Sequence, residues 1–290
     1  MWHGTRAAAN GRPLAVHHLL WLADGTKRSG TGSRRNPERS RRHGAGVACG
    51  RQSWGERMAT DAVHYGLEKT VAVVRLDDGK ANALSPALIA AVQQALDRAE
   101  RDARALLLVG RSGRFSGGFD LTVMRQGREA VRSLVTAGAE LAFRLYGFPR
   151  PVVVACTGHA IAMGALLLLC ADSRLGTEGD FKIGLNETTN GMTLPVFGIE
   201  LARDRLSKRH LARATLMAEM YAPAAAVDAG YLDRVTGADV LLPEALAEAE
   251  RLGALDSSAF ARAKRRLRTA TIALMRETLA RDMDDLAAGE

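Results

Sequence analysis

Cysteine is nearly missing from this chain: three occur in 290 residues, at Cys49, Cys156 and Cys170. They show neither a metal-ligand spacing nor an even pairing framework, which excludes a disulfide-stapled scaffold and a zinc ribbon. Cys156 and Cys170 stand in apolar runs and read as small core residues. A reducing setting is the default for such a chain, so a cytoplasmic location is expected. Long apolar runs are missing too. Arg, Asp or Gly interrupts each one before the roughly eighteen residues that a bilayer span needs. No Gly-x-Gly-x-x-Gly opens a helix and no Gly-Lys-Ser/Thr closes a phosphate loop. No Ser stands in a Gly-x-Ser-x-Gly elbow, so a Ser/His/Asp triad built on His159 and Asp172 is not expected. No His, Cys, Asp and Glu cluster has metal-ligand spacing, and no metal is expected.

The net charge of +8 is confined to one end. Residues 1–57 hold 11 Lys and Arg against 3 Asp and Glu, and the rest of the chain is balanced. All three tryptophans, Trp2, Trp21 and Trp54, also lie there. The composition of this leader, rich in Gly, Arg and Ser, cannot bury enough apolar surface to order itself. It reads as a disordered tail, an organelle transit peptide, or a stretch upstream of a true start at Met58. The third is preferred, because a regular domain begins just after Met58. Nucleic-acid binding is not favoured, since a basic disordered tail is common.

From residue 70 the pattern is regular. A β-branched strand over 70–76 meets a turn at Asp77-Asp78-Gly79-Lys80. Ser85-Pro86 reads as a helix N-cap with Pro at the first helical position. Apolar residues at Leu88, Ile89, Val92, Leu96 and Ala99 follow at helical spacing. A buried strand over 105–109 leads into a Gly-rich loop over 110–121, and an amphipathic helix over 127–148 stops before Pro149. A second buried strand over 151–156 runs into Thr157-Gly158-His159-Ala160-Ile161-Ala162-Met163-Gly164, a small-residue turn, and then a Leu-rich helix. Short strands over 173–177, 181–184 and 231–235 and helices to the C-terminus complete an α/β domain. The expected division is a leader over 1–57, a core over 58–240 and a C-terminal helical region over 241–290.

A turn from a strand into a helix leaves the first N–H groups of that helix unpaired, with the positive end of its dipole beside them. The Gly117-Gly118 loop also follows a buried strand. Two such turns together can form an oxyanion hole for a carbonyl that gains charge, in an ester, amide or thioester. The well-placed carboxylate among the later turns is Glu187. On its own it reads equally as a solvated turn residue. The cluster Arg262, Lys264, Arg265, Arg266 and Arg268 reads as a solvated helix face or as a site for phosphates.

Four segments in this order resemble the crotonase (enoyl-CoA hydratase/isomerase) superfamily. They are Lys80-Ala81-Asn82-Ala83-Leu84, Phe115-Ser116-Gly117-Gly118-Phe119-Asp120-Leu121, Gly158-His159-Ala160-Ile161-Ala162-Met163-Gly164 and the stretch over 222–235. The resemblance implies a crotonase-like ββα spiral whose C-terminal helices form a trimerisation region, in a homotrimer or hexamer. It implies an acyl-CoA or enoyl-CoA thioester as substrate, with CoA part of the substrate and no separate cofactor. By position it assigns the oxyanion donors to the backbone N–H groups of Gly117 and Met163. It places CoA against Lys80, Ala81, Ala83, Leu84, Ser116, Asp120 and Leu121.

The departures narrow the expected chemistry. Hydratases of the family carry two acids, and Leu166 stands where the first belongs. Glu187 matches the second if one residue is inserted; without the insertion Asn186 falls there. One base can take a proton from C2 and return it to C4, whereas adding water normally asks for two acid–base groups. The expected activity is therefore enoyl-CoA double-bond isomerisation with Glu187 as the single base. Enoyl-CoA hydration in fatty-acid oxidation and non-catalytic acyl-CoA binding are the alternatives.

Overall fold

In the computed structural model, which describes residues 56–57 and 62–288, the runs rich in Val and Leu lie side by side as strands. The chain begins with β1 (Glu56–Arg57), β2 (Val63–Glu68), β3 (Val71–Leu76), α1 (Pro86–Asp102) and β4 (Ala105–Val109). Next come β5 (Gly113–Ser116), α2 (Leu121–Met124), α3 (Arg128–Tyr146), β6 (Val152–Cys156), β7 (Gly158–Ile161) and α4 (Met163–Cys170). The rest comprises β8 (Ser173–Thr177), β9 (Ile183–Gly184), α5 (Val196–Arg205), α6 (Lys208–Thr215), α7 (Pro223–Ala229), β10 (Arg234–Thr236), α8 (Leu241–Gly253) and α9 (Ser257–Ala288).

One sheet has the order β1-β2-β3-β4-β6-β8-β10. Its first three strands are antiparallel, and from β3 onward neighbours are parallel. Side chains alternate along β3. Val71 and Val73 meet α8, while Ala72, Val74 and Leu76 face the larger core shared with α1, α3 and α4. Both faces are therefore covered, which is why these strands read as unbroken apolar runs. Each fully buried Val or Leu contributes about 1.5–3 kcal/mol. The start of α1 forms as its sequence predicts: Ser85 Oγ accepts from the Leu88 N–H at 3.2 Å, with Pro86 at the first helical position.

A second sheet, absent from the sequence reading, has the order β5-β7-β9, with all three strands parallel. Its first two strands occupy stretches expected to be loop and turn, whereas β9 falls within the short strand expected over 181–184. The α/β arrangement with a parallel sheet and a C-terminal helix is the predicted one. The described residues belong to one compact unit. Because α8 covers one face of the main sheet, the expected boundary after 240 does not separate two cores. The leader, apart from Glu56–Arg57 in β1, and Met58 lie outside the described residues. Among the described residues no helix is long and apolar enough to cross a membrane.

The basic cluster on α9 is only partly solvated. Arg262, Arg265 and Arg266 are exposed, but Lys264 and Arg268 are buried. Lys264 Nζ lies 2.6 Å and Arg268 Nη2 2.9 Å from the carboxylate of Asp172. These two cations are engaged in packing α9 and are not available to phosphates.

Candidate active site

Three parallel strands run side by side, so their C-terminal ends share one edge. Beyond β5 lies the loop 117–120, beyond β7 the turn into α4, and beyond β9 the segment that carries Glu187. Ligand sites form at such edges because the chain turns away there and leaves backbone groups unpaired.

The first loop is held by Asn82, fully buried and with φ +50°. Its Nδ2 donates to Leu76 O at 2.9 Å and Phe115 O at 3.1 Å, which ties the end of β3 to the end of β5. Ser116 Oγ donates to Asn82 O at 2.8 Å. The Leu84 N–H donates to Gly118 O at 2.8 Å. The sequence reading passed over Asn82 as a site-builder. Its signal was a polar residue set between Ala81 and Ala83 just after a turn.

The geometry corrects one expected donor. The Gly117 N–H donates to Ala81 O at 2.8 Å, so it is already engaged. The Gly118 N–H meets Ser116 Oγ at 3.3 Å. The next amide, that of Phe119, has no partner among the described residues and is the free donor of this loop. Met163 is the first residue of α4, and its N–H is likewise unpartnered among the described residues, as helix starts require. The two turns touch. Gly118 has φ +91°, and a Cβ there would come within 3.1 Å of Ala162 Cβ and 3.5 Å of Met163 N.

Two residues hold that contact. Ala162, the N-cap of α4, has φ +53° and ψ −125°, a conformation that favours glycine and costs an alanine about 1–3 kcal/mol. Its N–H donates to Gly184 O at 2.9 Å, which binds the turn to β9. At Gly164 a Cβ would lie 2.4 Å from Ser116 O. Gly164→Ala therefore forces α4 away from the 116–119 loop. The expected outcome is a loss of about 1–3 kcal/mol, read by urea unfolding, together with weaker substrate turnover; wild-type values for both would contradict this contact.

Glu187 lies three residues beyond Gly184 and is only 7 % exposed. Its Oε2 is sealed from solvent and has no hydrogen-bond partner. Burial pushes its carboxyl up to about 7, while the amides of Glu187 and Asn186 pull it part of the way back. Asn186, the competing position, is half-buried and carries no acid. Leu166 is buried. A Cβ on Gly198 would meet its Cδ1 at 3.3 Å, beside Leu194. That wall is apolar. His159 takes a packing role, its Nδ1 accepting from the Lys182 N–H at 3.0 Å.

A cleft of about 410 Å³ opens beside the 80–84 segment. Lys80, Ala81, Ala83 and Asp120 line it, with Ser85 and Thr122. Leu84 and Ser116 do not: both are fully buried, and they hold the loops together. Leu121 begins α2 and is exposed, outside the cleft walls. Among the described residues no group of His, Cys, Asp and Glu could hold a metal ion.

A family model described as "Enoyl-CoA hydratase/isomerase" matches residues 66–286. The crystal structure of an enoyl-CoA hydratase/isomerase family protein from Pseudomonas syringae is similar, with a TM-score of 0.76 and 43 % identity over 78 % of this chain and 98 % of that one. A probable enoyl-CoA hydratase from Bacillus subtilis is 31 % identical over 46 % of this chain; the match spans 52 % of that protein, about half its length. The human mitochondrial enoyl-CoA delta isomerase 1 is 30 % identical over 69 % of this chain and 68 % of that protein. These relatives carry hydratase and isomerase names alike.

Proposed function

The chain belongs to the enoyl-CoA hydratase/isomerase family, and from that premise we propose that it isomerises a 3-enoyl-CoA to a 2-enoyl-CoA with Glu187 as its single base. The observation that carries this reading is one sealed, unpartnered carboxylate, with Leu166 closing the place of a second acid. The amides of Phe119 and Met163 are the free donors for the thioester oxygen. Glu187 removes a proton from C2, and the C–H electron pair moves into the carbonyl to form a dienolate. Negative charge then develops on the thioester oxygen, where fixed amide donors stabilise it most. The same proton returns to C4, and the double bond comes to lie between C2 and C3. No atom is gained or lost, so no water and no second acid is needed.

A carboxyl that titrates near 7 matches this task, because a base works best with a pKa near the working pH. The cleft beside Lys80, Ala81 and Asp120 would take part of the CoA moiety. The full chain, assayed with a 3-enoyl-CoA and a 2-enoyl-CoA, is expected to isomerise the first at least about a hundredfold faster than it hydrates the second, the minimum effect of lacking one acid–base group. Hydration as fast as isomerisation would remove the proposal in favour of a hydratase. Tight binding without turnover of either thioester would instead leave a non-catalytic acyl-CoA binder.

A further inference from the structure

A glycine inside a helix is a costly choice, because it gives up more chain entropy on folding than alanine would. Helix α3 nevertheless carries Gly138 between Ala137 and Ala139, well inside its length and buried. The packing supplies a reason. A Cβ at Gly138 would stand 2.4 Å from Cε1 and 2.5 Å from Cζ of Phe119, and 3.7 Å from Cε of Met163. Phe119 is half-buried and packs against the main core, and Met163 is buried. These are the two residues whose amides are the free donors of the site, and their side chains meet at one position of α3. The backbone around Phe119 hangs on Leu84. The Leu84 N–H donates to Gly118 O at 2.8 Å, and the Asp120 N–H donates to Leu84 O at 3.2 Å. The Gly118 carbonyl and the Phe119 N–H belong to one trans peptide and point opposite ways. That N–H therefore faces away from Leu84.

We propose that Gly138 sets the spacing of the two thioester donors: by lacking a side chain it seats the Phe119 ring against α3, beside Met163 Cε. This rests on the reading of the Phe119 and Met163 amides as those donors. Two hydrogen bonds to Leu84 leave the intervening backbone free to tilt about the line between them, and the seated ring fixes that tilt. Gly138 is a positioning residue, since it acts through the two side chains rather than on the substrate. Carbon–carbon contacts settle at about 3.5–4.0 Å, so a methyl group at 138 drives the ring back by about 1 Å. A misplacement of about that size at a reacting centre costs about a hundredfold in rate. The same methyl group meets Met163 Cε at an ordinary contact distance, so the displacement falls on the Phe119 side of the pair.

The test is a cycle of Gly138→Ala, Phe119→Leu and the double variant in the full chain. Turnover of a 3-enoyl-CoA is measured beside the infrared C=O stretch of a bound 2-enoyl-CoA, isotope-labelled at the thioester carbonyl. Backbone donors lower that stretch, and a change in fold stability alone does not move it. Gly138→Ala is expected to lower kcat by about ten- to a hundredfold at nearly constant KM, and to return the stretch towards its value in the free thioester. Phe119→Leu empties the seat and moves both readouts the same way. Leucine keeps the amide and lacks the ring atoms that the new methyl group meets, so the double variant recovers most of the loss. Wild-type kcat and stretch in Gly138→Ala overturn the proposal. A lower kcat with an unmoved stretch, the mark of a merely structural change, overturns it too. Where Gly138→Ala does not fold alone, the double variant decides: a stretch near wild type supports the proposal, and one no better than that of Phe119→Leu ends it. Glu187→Gln separates the two readings, because the stretch needs no base. A lowered stretch in a wild-type protein that does not isomerise removes the base assignment alone. A wild-type stretch equal to that of the free thioester removes the donors, and this proposal with them.

Discussion

Glu187→Gln is expected to lower isomerase kcat by three to four orders of magnitude while leaving substrate binding nearly intact. Glutamine has the same shape but cannot take a proton, and a positioned acid–base group is worth about 10²–10⁴ in rate; the upper part of that range applies because no second carboxylate stands in reserve at Leu166. The wild-type rate should fall as pH drops through about 7, where burial has placed the carboxyl. The same substitution should stabilise the fold. The folded pKa is raised, so between about 4.5 and 7 the folded chain holds a proton that the unfolded chain has lost. Stability therefore declines as pH rises through this window, and above 7 the cost is complete, up to about 3 kcal/mol. The Gln variant should be about 1–3 kcal/mol more stable than wild type at pH 8, with the gap closing near pH 4.5. Denaturant titration at the two pH values, together with steady-state rates, checks both halves. A variant that is fully active, or no more stable at pH 8, contradicts the buried-base picture.

Asp172→Asn should be the most destabilising of these substitutions, by about 3–5 kcal/mol at neutral pH. Asp172 follows the C-cap of α4 and accepts from the Val152 N–H at 2.8 Å, and it also pairs with Lys264 and Arg268. Removing its charge leaves two buried cations with no anion between them. A guanidinium keeps its charge. Lys264 can lose its own: burial has already pushed it down to about 8, and Asp172 is the main group opposing that shift. In the variant the folded pKa of Lys264 falls further below its unfolded value. The Lys264 part of the loss is then greatest well below pH 8 and is gone above it, where Lys264 has shed its proton in the wild type as well, while the part due to Arg268 remains. A urea midpoint that does not move at neutral pH, or a loss that grows as pH rises through 8, would show that the pair does not anchor α9.

Much of this architecture can be read from residues alone, and what escapes reading has a common cause. Strands β3, β4 and β6 announce themselves because both of their faces are buried and, Arg75 apart, each position is apolar. The start of α1 is legible because Ser85 and Pro86 act locally. By contrast, β5 and β7 carry Gly113, Ser116, Gly158 and His159, poor strand formers by composition. They are strands because they pair with each other, Gly113 against Gly158, and local propensity carries no trace of that. The free amide at Phe119 could not be told from that at Gly117 without the hydrogen bonds to Ala81 and Leu84, which come from a segment far away in sequence. The buried pair of Lys264 and Arg268 hides among exposed arginines for the same reason, since its partner Asp172 sits in the turn between α4 and β8, far away in sequence. Glu187 was legible as a residue. Its sealed environment was not.

The small sheet has a consequence for the order in which the molecule assembles. Its three strands are separated by long stretches of chain, and β9 contributes only Ile183 and Gly184. Such a sheet gains little until the intervening loops have closed, and parallel pairing over long separations is slow. The edge that carries Glu187 is therefore built after the main sheet rather than with it. Glu187 hangs from the shortest strand of this small sheet, so fluctuations that open the native state by a small amount should release it before they disturb the core.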